Sequence, residues 1–282
     1  MKIESKLGAH MSIQSGIEKA LYRGSVIGCN TIQIFIRSNR RWEFQDFTDI
    51  EIEKFQQAKK ETNIYSVIAH ARYLINLASL SHETKEKSIQ TLERELINCD
   101  KLGMKYLVLH PGSGSDNKQQ AIDQVANSIN YIFAKNNSLS SIAIENTAGQ
   151  GNYLGAKFEE ISSLISKIEN KSRISVCLDT CHAWAAGYNF STQESYKQFM
   201  KDFDSILGIE NLKVMHLNNS KNKLNSHIDR HEDIDKGQID IEAFKLIIND
   251  KRFYSIDKIL ETPHNTDEDF KRNLLILKNL MQ

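Results

Sequence analysis

Eight short apolar runs recur along the chain, each followed by a longer amphipathic stretch, and few folds accommodate that alternation. The runs are LGAH (7–10), TIQIFI (31–36), YSVIAH (65–70), YLVLH (106–110), SIAIE (141–145), ISVCLD (174–179), KVMHL (213–217) and KILE (258–261). They are nearly continuous in apolar and β-branched residues, the pattern of parallel strands buried on both faces. The stretches between them have helical periodicity. In STQESYKQFMKDFDSILG, residues Tyr196, Phe199, Met200, Phe203, Ile206 and Leu207 make one stripe, with Ser191 or Thr192 to cap its start and Gly208 its end. In KSIQTLERELINCDKLG, residues Ile89, Leu92, Leu96 and Cys99 share a face that stops at Gly103, and TDIE (48–51) has the capping-box pattern. Strand–helix alternation implies parallel βαβ units. Eight such units predict an α/β fold, a single (β/α)8 TIM barrel over residues 1–282. The only two prolines, Pro111 and Pro263, fall just after proposed strand ends, where a missing N–H does least harm. A doubly wound sheet is the alternative, but no G-x-G-x-x-G follows the first strand.

Bulk charge excludes little. The 36 basic and 36 acidic residues cancel, so attraction to nucleic acid or a membrane surface must be local. No run is long enough to span a bilayer and the N-terminal stretch lacks a signal-peptide core, which predicts a cytoplasmic protein without membrane contact. Cys29, Cys99, Cys177 and Cys181 are too sparse for a disulfide scaffold and are expected as reduced thiols.

The strand ends carry the chemistry. His10, His70, His110, Glu145, Asp179, His216 and Glu261 finish seven of the eight runs, while the second run ends in nothing titratable. His182 follows Asp179 by three residues, and Asp229 and His231 lie in the long segment after strand seven. Barrel strand ends converge on one rim, the face where sites are assembled from different strands. Any one of these groups alone would be read as locally hydrogen bonded. Together, mutually close carboxylates and imidazoles are costly unless a cation holds them, and mixed His/carboxylate sets suit zinc, manganese or iron. At about three protein ligands per catalytic ion, such a set serves roughly three ions. Four carboxylates would leave about two positive charges on three divalent ions, enough to attract a phosphate ester.

Several motifs resemble a known family. HARYLINLAS, LHPGS, IENTAGQG, CLDTCHAWAAGY, MHLNNSK and DRH followed by ILET match, in order and spacing, the endonuclease IV family of apurinic/apyrimidinic DNA endonucleases. DTCHAxAAGY and DRH are specific, HPG and ILET less so. The resemblance implies a trinuclear zinc site, in which manganese can substitute at one or more positions. Its ligands would be His70, His110, Glu145, Asp179, His182, His216, Asp229, His231 and Glu261, and His10 would not be one. It further implies incision on the 5′ side of an abasic site in duplex DNA to leave a 3′-hydroxyl, and trimming of blocked 3′ ends. Glu145 and Glu261 would be the catalytic carboxylates, orienting the attacking water.

DNA contacts are expected from the loop FIRSNRRWEF, which packs Arg37, Arg40, Arg41 and Trp42 beside the site, and from Lys221 and Lys223. By the resemblance, Arg40 and Tyr73 would enter the duplex as the damaged nucleotide is extruded. The glycine-bearing PGSGS and AGQG read as rim turns, since neither continues as a P-loop. Departures from the family pattern are Ser38, Arg72, Asn219 in place of aspartate, and Asp235 and Asp240 in places often held by glycine. The last two are expected to weaken phosphate approach. A single-metal sugar isomerase or epimerase of the same barrel group is the alternative, but it would leave His70, His110, His182, Asp229 and His231 without a common purpose. A non-catalytic nucleic-acid binder is a further reading, without the net basic charge it would need. A monomer is expected.

Overall fold

The eight apolar runs become eight parallel strands that close on themselves. The structure is a computed structural model, and it describes residues 5–39, 41–43 and 45–282. In chain order the elements are β1 (Leu7–His10), α1 (Ile17–Val26), β2 (Thr31–Phe35), α2 (Asp49–Glu61), β3 (Ser66–His70), α3 (His82–Leu102), β4 (Tyr106–Leu109), α4 (Lys118–Lys135), β5 (Ser141–Glu145) and α5 (Phe158–Ser166). There follow β6 (Ile174–Asp179), α6 (Thr180–Ala185), α7 (Gln193–Leu207), β7 (Leu212–His216), the short pair β8 (Asn219–Ser220) and β9 (His231–Glu232), then α8 (Ile241–Ile248), β10 (Asp257–Leu260) and α9 (Asp267–Leu280). The barrel runs β1-β10-β7-β6-β5-β4-β3-β2, and β2 pairs with β1 to shut it. Strand limits deviate by no more than one residue at either end from those read in the sequence.

Local signals explain the helices. Thr48 and Glu51 form the reciprocal capping box that opens α2, so two otherwise orphaned N–H groups are satisfied. In α7 the capping residue is Thr192, and Tyr196, Phe199, Met200, Phe203 and Leu207 are buried, while Ile206 is only half-buried at the edge of the stripe. Helix α3 ends at Gly103 in the left-handed conformation that glycine adopts without a Cβ penalty. Its buried face includes Ile89, Leu92, Leu96 and Cys99.

Two apolar clusters follow from strand alternation, since successive side chains point to opposite faces. The larger packs the outward strand residues against the helices. The smaller, formed by Ile68, Val108, Ala143, Cys177, Val214 and Ile259, fills the barrel interior. Each fully buried aliphatic side chain of this kind contributes about 1.5–3 kcal/mol relative to exposure. All four cysteines are free and buried. None of the described helices is long and apolar enough to cross a membrane.

Candidate metal centre

Two residues beyond each member of the inner apolar layer, on the same face of the same chain segment, stands a candidate metal-binding side chain. Ile68 is followed by His70, Val108 by His110, Ala143 by Glu145, Cys177 by Asp179, Val214 by His216 and Ile259 by Glu261. Strand register aligns these positions, with Asp179 paired to His216 and Glu145 to Cys177. A dry plug of six apolar groups therefore lies directly beneath a rung of six donors.

The other three donors reach the rung from outside the barrel strands. Asp179 accepts a hydrogen bond from the His182 backbone N–H at 2.8 Å and so caps α6 while that helix delivers His182. This is the physical content of the D-x-x-H spacing: one carboxylate both faces the site and starts the turn that brings the imidazole. Asp229 comes from the segment joining β8 to β9, and His231 is the first residue of β9. That segment is pinned to α6 by hydrogen bonds from the Trp184 indole to the Asn222 carbonyl (3.1 Å) and from the His227 N–H to the Ala185 carbonyl (3.0 Å). Asn225 and His227 adopt positive φ of 60° and 54° to make the turn.

All nine donors fall into three groups, within each of which the ligand atoms lie within 4.8 Å of one another: His70, His110 and Glu145; Glu145, Asp179, His216 and Glu261; His182, Asp229 and His231. Glu145 links the first two, with Oε2 2.8 Å from His110 Nε2 and 3.2 Å from His70 Nε2, and Oε1 2.9 Å from His216 Nδ1. Cys177 and Cys181 also border these groups. Burial pushes both thiols up to about 12, so they stand there as neutral groups.

Ring orientation shows what the cluster can hold. A carbonyl oxygen accepts only, so an imidazole nitrogen facing one must be the N–H nitrogen. His70 Nδ1 faces the Ala71 carbonyl at 2.7 Å, His182 Nδ1 the Asn146 carbonyl at 2.9 Å, and His231 Nδ1 the Glu261 carbonyl at 3.1 Å. The opposite nitrogens then turn inward, where they meet carboxylate oxygens: His70 Nε2 meets Glu145 at 3.2 Å and His182 Nε2 meets Asp229 at 3.2 Å. Lone pair against carboxylate is stable only with a positive charge between them, a proton or a metal ion. The donor set fits divalent cations. Without them, burial works against the Glu145 and Glu261 carboxylates, yet the surrounding histidines outweigh it and hold both well below the usual range.

The remaining expected residues are dispersed around the rim. Tyr73 is 69% exposed, its ring 5.1 Å from Phe35 and 6.1 Å from His70. Arg37 commits its guanidinium to Glu51 at 3.0 Å and to the Gln45 and Asp46 carbonyls, over the ring of Phe47. Arg41 is exposed, while Trp42 is half-buried along a groove with Lys87, Gln90 and Arg94 of α3. Lys221 and Lys223 are exposed beside β8. Arg40 lies outside the described residues. Between β1, β2 and Glu261 opens a cleft of about 350 Å³ lined by His10, Phe35, Ser38, Tyr73 and His264.

Three of the residues expected to depart from the family pattern, Asp235, Asp240 and Asn219, have partners of their own. Asp240 caps α8, accepting from the Glu242 N–H at 2.9 Å, and Asp235 pairs with Arg272, so both carboxylates expected to oppose phosphate are engaged elsewhere. Asn219 is wholly buried, donating to the Ile234 and Ile239 carbonyls and accepting from the Ser220 and Ile239 N–H groups. Sequence reasoning missed Gln33, Asn146 and Asn218, whose amides hold the donors. Asn218 donates to Asp179 Oδ2 and accepts from the Glu261 N–H, each at 2.7 Å. The available signal for Gln33 was a polar residue inside the otherwise apolar TIQIF.

Known proteins resemble this chain in sequence and fold. A family profile described as a xylose isomerase-like TIM barrel matches residues 23–280. A probable endonuclease 4 from Geobacter sulfurreducens is 39% identical over 279 residues, covering 98% of this chain and 94% of that protein. The crystal structure of endonuclease IV from Thermus thermophilus aligns with a TM-score of 0.86 at 33% identity, covering 98% of each chain. A D-tagatose 3-epimerase-like protein aligns with a TM-score of 0.74 at 17% identity over 98% of this chain and 96% of its own, a likeness of fold. The chain is therefore a xylose isomerase-like TIM barrel. Within that class it belongs to the endonuclease 4 family, as its motifs implied, and it is a nuclease.

Proposed function

We propose that this chain cleaves duplex DNA at the phosphodiester 5′ to an abasic site, leaving a 3′-hydroxyl, and trims blocked 3′ ends. Residues 1–282 act as one catalytic domain, as a cytoplasmic monomer, with three zinc ions held by the nine converging donors and manganese able to replace zinc at one or more positions. The observation that carries the reading is the paired facing of imidazole lone pairs and carboxylate oxygens around Glu145, in a chain of the endonuclease 4 family.

Bound divalent ions would lower the pKa of a water and offset charge on the phosphate. The protein's own groups supply orientation. Glu145 and Glu261, both facing His216 Nδ1, can hold the attacking water by hydrogen bonds and receive its proton. The dry layer from Ile68 to Ile259 closes the site from below and keeps its electrostatics strong. Tyr73, Arg40, Arg41, Trp42, Lys221 and Lys223 are proposed to grip DNA, and the cleft beside Glu261 to admit the base-free sugar phosphate. The test is a duplex oligonucleotide bearing one tetrahydrofuran abasic analogue. The zinc-loaded protein should nick it on the 5′ side and spare the undamaged duplex; an intact strand after prolonged incubation would refute the reading.

A further inference from the structure

His216 is oriented differently from the other inward-facing histidines. Where His70, His182 and His231 each present one ring nitrogen to a backbone carbonyl, His216 presents Nε2 to a side chain, the Gln33 amide oxygen, at 2.8 Å. Its other nitrogen, Nδ1, faces Glu145 at 2.9 Å and Glu261 at 3.2 Å. The inward atom is thus Nδ1 here and Nε2 in the other three.

Which way the Gln33 amide points decides the tautomer, and Glu261 decides the amide. Gln33 Nε2 lies 2.7 Å from Glu261 Oε1 and 3.0 Å from His10 Nδ1. A carboxylate oxygen accepts only, so the nitrogen end must face it; turning the amide over would set two acceptors 2.7 Å apart. The oxygen end is then directed at His216, whose Nε2 must carry the hydrogen, leaving the Nδ1 lone pair for the site. Gln33 is wholly buried in β2 beside His10, and it spans β1, β7 and the end of β10.

We propose that Gln33 is a positioning residue that fixes the His216 tautomer and the Glu261 carboxylate together, and so sets the affinity of the ion that Glu145, Asp179, His216 and Glu261 would share. This rests on the metal-dependent reading above. Partners that orient ligands in this way are typically worth about 10–100-fold in metal affinity. Main-chain carbonyls orient His70, His182 and His231 and cannot be removed by substitution, whereas this amide can.

The experiment compares wild type with Gln33→Met, which keeps the length and removes both polar atoms, using zinc alone as the probe. Zinc content is read by elemental analysis after dialysis against graded chelator. Wild type should retain its full complement where the variant loses one ion per chain, at a chelator strength about 10–100-fold lower. Equal retention in a folded variant would overturn the role of Gln33. Failure of both proteins to take up any divalent ion would instead overturn the functional reading beneath it. Should Gln33→Met fail to fold, wild type alone decides: long-range ¹⁵N–¹H correlation of the zinc-loaded histidine rings should show His216 protonated at Nε2 and bound through Nδ1. The opposite tautomer would refute the proposal.

Discussion

The Arg72 Nε atom lies 2.9 Å from Glu95 Oε1, and neither side chain reaches solvent. Arg72 follows β3 two residues after His70, and Glu95 lies on α3, so the pair ties the strand carrying a donor to the helix outside it. The same guanidinium donates through Nη1 to the Arg41 carbonyl at 2.7 Å and the Glu43 carbonyl at 3.2 Å. One side chain thus anchors the loop expected to meet DNA.

Removing Arg72 should expose both functions. Burial pushes the Glu95 carboxyl up to about 7 while Arg72 pulls it down, so Arg72→Ala leaves an acid without its counter-charge. A loss of about 3–5 kcal/mol is expected in urea unfolding. Replacing both residues, Arg72→Met with Glu95→Leu, should recover most of that stability, because an apolar pair needs no desolvated charge. It should not restore loop anchoring, so limited proteolysis near residues 41–43 stays accelerated in both variants. Wild-type proteolysis in the double variant would contradict the anchoring role.

Glu261 gives a second expectation. Its Oε1 is occupied by Gln33 and His10, and Oε2 faces His216. Glu261→Gln preserves shape but removes the charge proposed to orient a nucleophile. Single-turnover incision of abasic duplex should fall by about 10²–10⁴-fold in a variant whose circular dichroism shows that it still folds. An unaltered rate would remove Glu261 from the mechanism.

The pH dependence follows from the buried histidines. Burial lowers the pKa of His182, but Asp179 and Asp229 raise it well above the ordinary value, and Glu261 and Glu145 act in the same upward direction on His216. Cys177 adds no charge beside His216, since its thiol stays neutral up to about 12. A folded-state pKa raised above the unfolded value of about 6.5 contributes stability that is complete below that pH and is lost as pH rises through the folded pKa. Metal-free protein should therefore melt at lower temperature as pH increases from about 6.5 upward, and zinc should stabilise it more over the same interval. Titration calorimetry in buffers of different protonation enthalpy should report proton release on zinc binding. Proton uptake, or a metal-free melting temperature that is flat with pH, would contradict it.

The legible parts of this protein are those that repeat locally. Strand alternation made the eight runs visible, and it also sets each donor two residues beyond an interior apolar group, as Ala143 and Glu145 show. The partners that orient the donors were hidden because they are remote in sequence or do not titrate. Gln33 meets His216 only when the barrel closes, and the charged partner of Arg72, Glu95, lies on α3. Arg37 shows the converse: a basic residue in a basic loop whose guanidinium is taken by Glu51, a carboxylate that also belongs to the α2 capping box.

Asn219 offers the sharpest test of such local compensation. Its side-chain nitrogen donates to the Ile234 carbonyl at 2.8 Å and the Ile239 carbonyl at 2.9 Å, while its oxygen accepts from the Ser220 N–H at 2.7 Å and the Ile239 N–H at 2.8 Å. The amide is fully used at a position that water does not reach. Aspartate, the residue the family resemblance leads one to expect here, can accept but not donate, so Asn219→Asp would set a buried carboxylate oxygen against two carbonyls. The cost should be at least about 2–3 kcal/mol at neutral pH and should shrink in acid, where a protonated carboxyl donates to one of them. Because β8 starts at Asn219 and pairs with His231, the disturbance should also loosen the segment bearing Asp229 and His231. Equilibrium unfolding at pH 5 and pH 8 would check the first effect and chelator competition for zinc the second. A variant as stable as wild type at both pH values would mean that the segment from 233 to 239 rearranges to supply donors that the present hydrogen bonds do not include.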